Sequence, residues 1–199
     1  MKLKVIGVGG AGLSVLGTLK EKEFPDSFLL GIDYDGSWLP HLAGLVPSEI
    51  ALPIQTRGLG NPGILHWRIL ALSRIRAIAE IVFGVDRVIL TVGLGGATGT
   101  GIAPVIASAV RVLGAEVAIF ASMPYEFEGK NRQNVALENL ALLEELAHDV
   151  RIYRPESLID EHRGFSDWRE TLTINEAFPL LDELMAEEIS DEINSSLLP

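Results

Sequence analysis

The chain has 199 residues, 48% of them hydrophobic and none of them cysteine, with a formal net charge of -11. That length suits one well-buried domain over residues 1 to 199, and the missing thiols exclude disulfides, thiolate metal sites and a cysteine nucleophile. The excess negative charge opposes non-specific binding to nucleic acid or anionic lipid, which Lys and Arg chiefly hold, and no apolar run reaches the ~18 residues of a membrane span, so a cytoplasmic protein is the expectation.

The first apolar run, Leu3 to Val8, is short and rich in Val and Leu/Ile, and predicts a buried strand. It leads into Gly7-Val8-Gly9-Gly10-Ala11-Gly12, a G-x-G-x-x-G turn that lets backbone N–H groups approach a phosphate at the start of the next helix, here Gly12 to Lys22. Phe28 to Ile32 predicts a second strand, ending at Asp33, about twenty residues past the turn, where a dinucleotide-binding unit keeps its ribose-binding carboxylate. This half of the chain alone fits an NAD(P)-dependent Rossmann oxidoreductase as well as it fits a glycine turn used only for packing. Ser37 to Pro62 has no clear period and predicts irregular chain.

Helical spacing returns from Ile64 to Phe83, and Arg87 to Val92 predicts the third strand. The segment that follows, Gly93-Leu94-Gly95-Gly96-Ala97-Thr98-Gly99-Thr100-Gly101, opens the helix Gly101 to Leu113 and offers a second set of converging N–H groups. A dinucleotide needs one such turn for its pyrophosphate, whereas a nucleoside triphosphate has oxygens enough for two. No G-K-[ST] follows either turn, so the phosphate charge falls to N–H groups, helix dipoles and Mg2+. The alternative is a Gly/Thr-rich turn that merely lets a helix pack closely.

Strands at Glu116 to Ser122 and Asp149 to Tyr153, helices at Gly129 to His148 and about Thr173 to Asn194, and an irregular Pro155 to Thr171 complete the pattern. The alternation predicts an α/β fold whose parallel sheet is covered on both faces, with ligand beyond the carboxyl ends of the strands. Ile189 and Ile193 form a thin apolar stripe that predicts a helix end facing water. Glu144-Glu145 and Glu187-Glu188 read as solvated helix faces. His41, His66, His148 and His162 lack metal-ligand spacing and neither Ser14 nor Ser122 has a triad context, so no catalytic or metal-ligating residue is assigned.

In chain order, "VIGVGGAG" at Val5 to Gly12, "GGATGTG" at Gly95 to Gly101, "MPYEFEGKNRQNVA" from Met123 and "TINEAFPLLDEL" from Thr173 resemble the segments of the FtsZ/tubulin GTPases, FtsZ in particular. The resemblance implies that family's nucleotide-binding domain: a three-layer, Rossmann-like, mostly parallel sheet with helices on both faces. It implies GTP or GDP as ligand, Mg2+ with GTP, and assembly with itself or an FtsZ-like homologue in a filament. Carried over by position, Gly9, Gly10 and Ala11, with Gly95, Gly96, Ala97, Thr98, Gly99 and Thr100, surround the phosphates, and Glu128 and Arg132 hold the ribose. Phe178 stacks on guanine and Asp182 hydrogen-bonds it. Their i, i+4 spacing puts both on one helix face, and a carboxylate accepts from guanine N1–H and N2–H, a pair adenine lacks.

The chain departs from the family pattern at several positions. Ala97 replaces a glycine, Ser14 stands where the first loop has Asn, and Asp33 aligns with an Asn, with Asp35 as candidate for an indirect Mg2+ contact. The γ-phosphate loop is shortened to Thr56-Arg57-Gly58-Leu59-Gly60-Asn61-Pro62, and Arg154-Pro155-Glu156 replaces an Asn-bearing loop at the base, implying relaxed base selectivity. The family's water-activating carboxylates lie beyond the position matching Pro199, so the expectation for this chain alone is weak GTP hydrolysis.

Overall fold

The computed structural model describes residues 1–33, 63–157 and 173–197. Among these residues five strands form one sheet: β1 (Leu3–Val8), β2 (Leu29–Ile32), β3 (Arg87–Gly93), β4 (Glu116–Ser122) and β5 (Asp149–Tyr153). Their order is β2-β1-β3-β4-β5 and every pairing is parallel. Val5 lies beside Leu29 and Ile89, and Ile89 beside Ala118.

Among the described residues, six α-helices cover the sheet: α1 (Gly9–Glu21), α2 (Ile64–Ser73), α3 (Ile75–Val82), α4 (Ala97–Val112), α5 (Lys130–Leu146) and α6 (Ile174–Leu197). Successive strand side chains point to opposite faces, and the core divides accordingly. Ile6, Val8, Leu90 and Val92 pack with residues of α2 to α5, whereas Val5, Ile89 and Phe120 pack with α1 and α6. Strands β1 to β4 are therefore covered on both faces, which is why they read as continuous apolar runs rather than alternating ones, whereas the edge strand β5 is largely half-buried or exposed. The chain leaves β1 toward β2 through α1 and leaves β3 toward β4 through α4, so adjacent strand ends diverge between β1 and β3. Such a switch point opens a crevice at the carboxyl ends of the strands.

Strands β1, β4 and β5 keep their predicted bounds, and β2 and β3 differ by one residue. Three expectations for the helices change. Ile64 to Phe83 is two helices, broken at Arg74 (φ -106°, ψ 8°). Helices α1 and α4 begin earlier than predicted, at Gly9 and Ala97, so part of each glycine turn is helical. The stripe at the end of α6 does not face water: Ile189 and Ile193 are completely buried against the sheet side that α1 also covers. Glu187 and Glu188 are exposed but engaged, the first with Lys22 at 3.1 Å and the second accepting from the Tyr153 hydroxyl at 2.7 Å. Among the described residues, no helix is long and apolar enough to cross a membrane.

Candidate functional site

Both glycine turns end at the switch point and touch there. Gly9 and Gly95 adopt φ of +67° and +85°, a region that side chains with a Cβ rarely enter. A Cβ on Gly9 would stand 3.0 Å from the Gly99 nitrogen, so the first turn of α1 lies directly against that of α4. Neither helix start has a side-chain cap, since Val8 and Gly96 occupy the N-cap positions. Uncapped starts leave first-turn N–H groups and the positive end of each helix dipole for another acceptor.

A cavity of about 520 Å³ opens beside them, within the range usual for small-molecule sites. Gly9, Gly10, Ala11 and Ser14 line it from the first loop and α1, and Gly96, Ala97, Thr98 and Gly99 from the second. Gly95 and Thr100 do not reach it. The Gly95 N–H donates to the buried Thr100 hydroxyl at 3.0 Å, which ties the second turn together from behind.

The far wall comes from the chain after β4 and from α6. Glu128 forms an ion pair with Arg132 and accepts from the Tyr125 N–H at 3.0 Å, so both side chains are held at the rim. Tyr125 is buried, and its hydroxyl donates to the Ala177 carbonyl at 2.8 Å, fastening this segment to the start of α6. Burial pushes its phenol well above the ordinary range, followed in effect by the nearby carboxylates of Glu156, Asp182 and Glu128, so it stays a neutral donor. Phe178 keeps 40% of its surface exposed and meets Tyr125 edge-on at 5.0 Å between centroids. One turn later, Asp182 accepts the Ser14 hydroxyl on Oδ2 at 2.6 Å. Burial pushes the Asp182 carboxyl up to about 6, against the downward pull of the Ser14 hydrogen bond.

Twelve of the fifteen sequence-derived site residues thus line one cavity, Gly95 and Thr100 support it, and Asp35 lies outside the described residues. Thr56 to Pro62, His41 and His162 lie outside them too. Asp33 is 1% exposed and does not line the cavity, whereas the second glycine turn does, which disfavours the dinucleotide reading. Sequence reasoning missed Tyr125, Ser122 and Leu181 as lining residues. Leu181 sits three residues beyond Phe178, a helical spacing that marks the same face.

A model of the tubulin/FtsZ family GTPase domain matches residues 65–161. The chain is similar to cell division protein FtsZ of Aquifex aeolicus, with 35% identity over 193 residues that cover 94% of this chain and 50% of that protein. Among solved structures it is similar to an FtsZ dimer from M. jannaschii, with 25% identity, a TM-score of 0.76 and coverage of 94% of this chain and 53% of that one. A CetZ from Methanosaeta thermophila, 17% identical, shares the fold with a TM-score of 0.75 over 98% of this chain and 54% of its own. The chain spans about half the length of these relatives. By sequence and by architecture, the chain belongs to the tubulin/FtsZ family and carries the fold of its GTPase domain.

Proposed function

We propose that the chain binds GTP or GDP in the cavity between the ends of β1 and β3, and that the bound nucleotide serves assembly with a second copy or an FtsZ-like partner. The observation that carries this reading is the meeting of two uncapped helix starts in one cavity whose other end holds Phe178 and Asp182. Backbone N–H groups of Gly9, Gly10, Ala11, Gly96, Ala97, Thr98 and Gly99 hold the phosphates. The room suits the group: a Cβ built on Gly96 meets no atom of the described residues within 4 Å, so they leave that space empty. Charge-assisted bonds of this kind are worth ~1.5 to 3 kcal/mol each, so several support micromolar affinity, roughly -8 kcal/mol, after ordering costs. Glu128 and Arg132 flank the ribose, the exposed ring of Phe178 stacks on the base, and Asp182 accepts from guanine N1–H and N2–H.

Among the described residues, no group of three or more His, Asp or Glu gathers that could hold a metal ion. Mg2+ would come with the phosphates of GTP and neutralise their charge, with Asp35, which lies outside the described residues, as the candidate for an indirect contact. Hydrolysis by the chain alone is slow, because the lining carboxylates among the described residues, Glu128 and Asp182, belong to neither glycine turn.

Thermal unfolding with GTP, GDP, ATP and NAD tests the assignment. A ligand at 100 times its dissociation constant stabilises by ~2.7 kcal/mol, roughly 5 to 10 °C for a domain of this size. GTP and GDP are expected to give that shift, with ATP smaller. A shift with NAD and none with guanine nucleotides overturns the reading.

A further inference from the structure

We propose that Ser14 is a positioning residue for Asp182: its hydroxyl, bonded to the carboxylate across the cavity wall, holds it in one orientation and so sets the preference for guanine over adenine. The inference rests on the guanine-nucleotide reading of the cavity.

Ser14 lies on α1 and Asp182 on α6, helices that pack against the same face of the sheet. Both side chains line the cavity, and the 2.6 Å bond between Ser14 Oγ and Asp182 Oδ2 spans 168 residues of sequence. The ionisable groups facing Asp182 from the other walls are Tyr125 and Glu128 after β4 and Arg132 on α5. Along α6, Glu183 is exposed, and the cations at the end of α1, Lys20 and Lys22, are tied to Asp26 and Glu187. Within the described residues, Ser14 supplies the side-chain hydrogen bond that Asp182 accepts.

Burial and the serine therefore act in opposite directions on one carboxyl, the first favouring the neutral acid and the second the anion. Each form recognises a different base. The anion is an acceptor only, with about four lone-pair sites, so after accepting from Ser14 it still serves guanine N1–H and N2–H. The neutral acid carries one O–H donor beside a carbonyl acceptor, the pattern complementary to adenine N1 and the adenine amino group. Because a serine hydroxyl has one hydrogen, Ser14 donates to Asp182 and meets a ligand only as an acceptor. Its effect on base choice runs through the carboxylate.

The test compares the full chain with Ser14→Ala, Ser14→Cys, which keeps the shape with a weak donor, and Ser14→Thr, which keeps the hydroxyl. Carbon-13 NMR of the Asp182 carboxyl in the nucleotide-free protein reads its titration midpoint. The midpoint is expected to rise by roughly one unit in Ser14→Ala and Ser14→Cys and to stay near the wild-type value in Ser14→Thr. Titrations with GDP and ADP at pH 7 are expected to show the GDP preference falling roughly tenfold in the first two variants and being retained in Ser14→Thr. An unmoved midpoint in the variants lacking the hydroxyl overturns the proposal, as does an unchanged GDP to ADP ratio beside a moved midpoint. A wild-type chain that binds no GDP, while the midpoint still moves, overturns the guanine reading instead and with it the role in base choice.

Discussion

Gly96 and Gly99 stand three residues apart in one turn and are glycine for different reasons. A Cβ on Gly99 would come within 2.7 Å of the Gly93 carbonyl oxygen and 3.0 Å of Val92 Cγ2, whereas one on Gly96 meets no atom of the described residues within 4 Å, and its φ of -84° and ψ of 160° suit alanine. Gly99→Ala is therefore expected to destabilise the fold by roughly 1 to 3 kcal/mol, since backbone must move to admit the methyl group. Gly96→Ala is expected to leave stability within about 0.5 kcal/mol while weakening GDP binding tenfold or more, because its methyl group enters the phosphate cradle. Chemical denaturation and a GDP titration on each variant check the pair, and equal effects on both properties contradict the division. Sequence reading cannot draw this division, because spacing marks all the glycines of the turn alike. Phe178 and Asp182 are legible, since i, i+4 spacing fixes their common face. The partnership of Ser14 with Asp182 is not, because nothing local records a contact made by the far end of the chain.

The strands are the most legible elements, since five short apolar runs bounded by turn residues admit few other readings in a sheet buried on both sides. Helix ends are less so. Propensity argues against helix in the glycines from Gly9 to Gly12 and in the Gly/Thr run from Thr98 to Gly101, yet tertiary approach decides: a Cβ on Gly12 would lie 2.4 Å from the Thr91 carbonyl oxygen and one on Gly99 2.7 Å from the Gly93 carbonyl oxygen, so glycine is what fits in each first turn. The end of α6 was misread because its acidic surface hides what holds it down. Glu192 pairs with Arg87 at the start of β3 and with Arg151 on β5, and the Arg151 guanidinium lies 5.0 Å from the centroid of the Phe120 ring. The Glu192 side chain keeps 12% exposure, with Arg87 at 20% and Arg151 at 36%, so this bridge between helix and sheet is desolvated chiefly at the carboxylate. Removing one partner from such a group leaves charge uncompensated. Glu192→Ala is expected to cost about 2 to 4 kcal/mol in urea unfolding, and Glu192→Gln less, with GDP affinity of the folded protein unchanged. A loss below about 0.5 kcal/mol places the anchoring of α6 in Ile189 and Ile193 alone.

At the scale of the whole molecule, the site exists because the two faces of the sheet meet at one point. Groups from α1 and α6 on one face and from α4 and α5 on the other reach a common cavity only where β1 and β3 part. Alternating strands and helices make a parallel sheet legible, but the order β2-β1-β3-β4-β5, which creates that point, is not written in any periodicity. The same convergence limits the chemistry. Two helix starts give one end of the cavity backbone N–H groups, which would compensate the charge of a phosphate, while its described carboxylates stand with Arg132 and Phe178 at the other end. Transfer of the γ-phosphoryl group to water needs a group that orients the attacking water as well as charge compensation. On the proposed reading, a second molecule docked across the nucleotide would bring that group; the solved structures to which this chain is similar include an FtsZ dimer. GTP turnover per chain is therefore expected to be low in dilute solution and to rise with protein concentration. It should rise further when a full-length relative such as the Aquifex aeolicus FtsZ is added, in step with light scattering. Phosphate release measured across a concentration series with GTP and Mg2+ decides the matter. Turnover that is fast in dilute solution and flat with concentration means that the water-orienting group lies within the same chain, and the proposed link between nucleotide and assembly then fails.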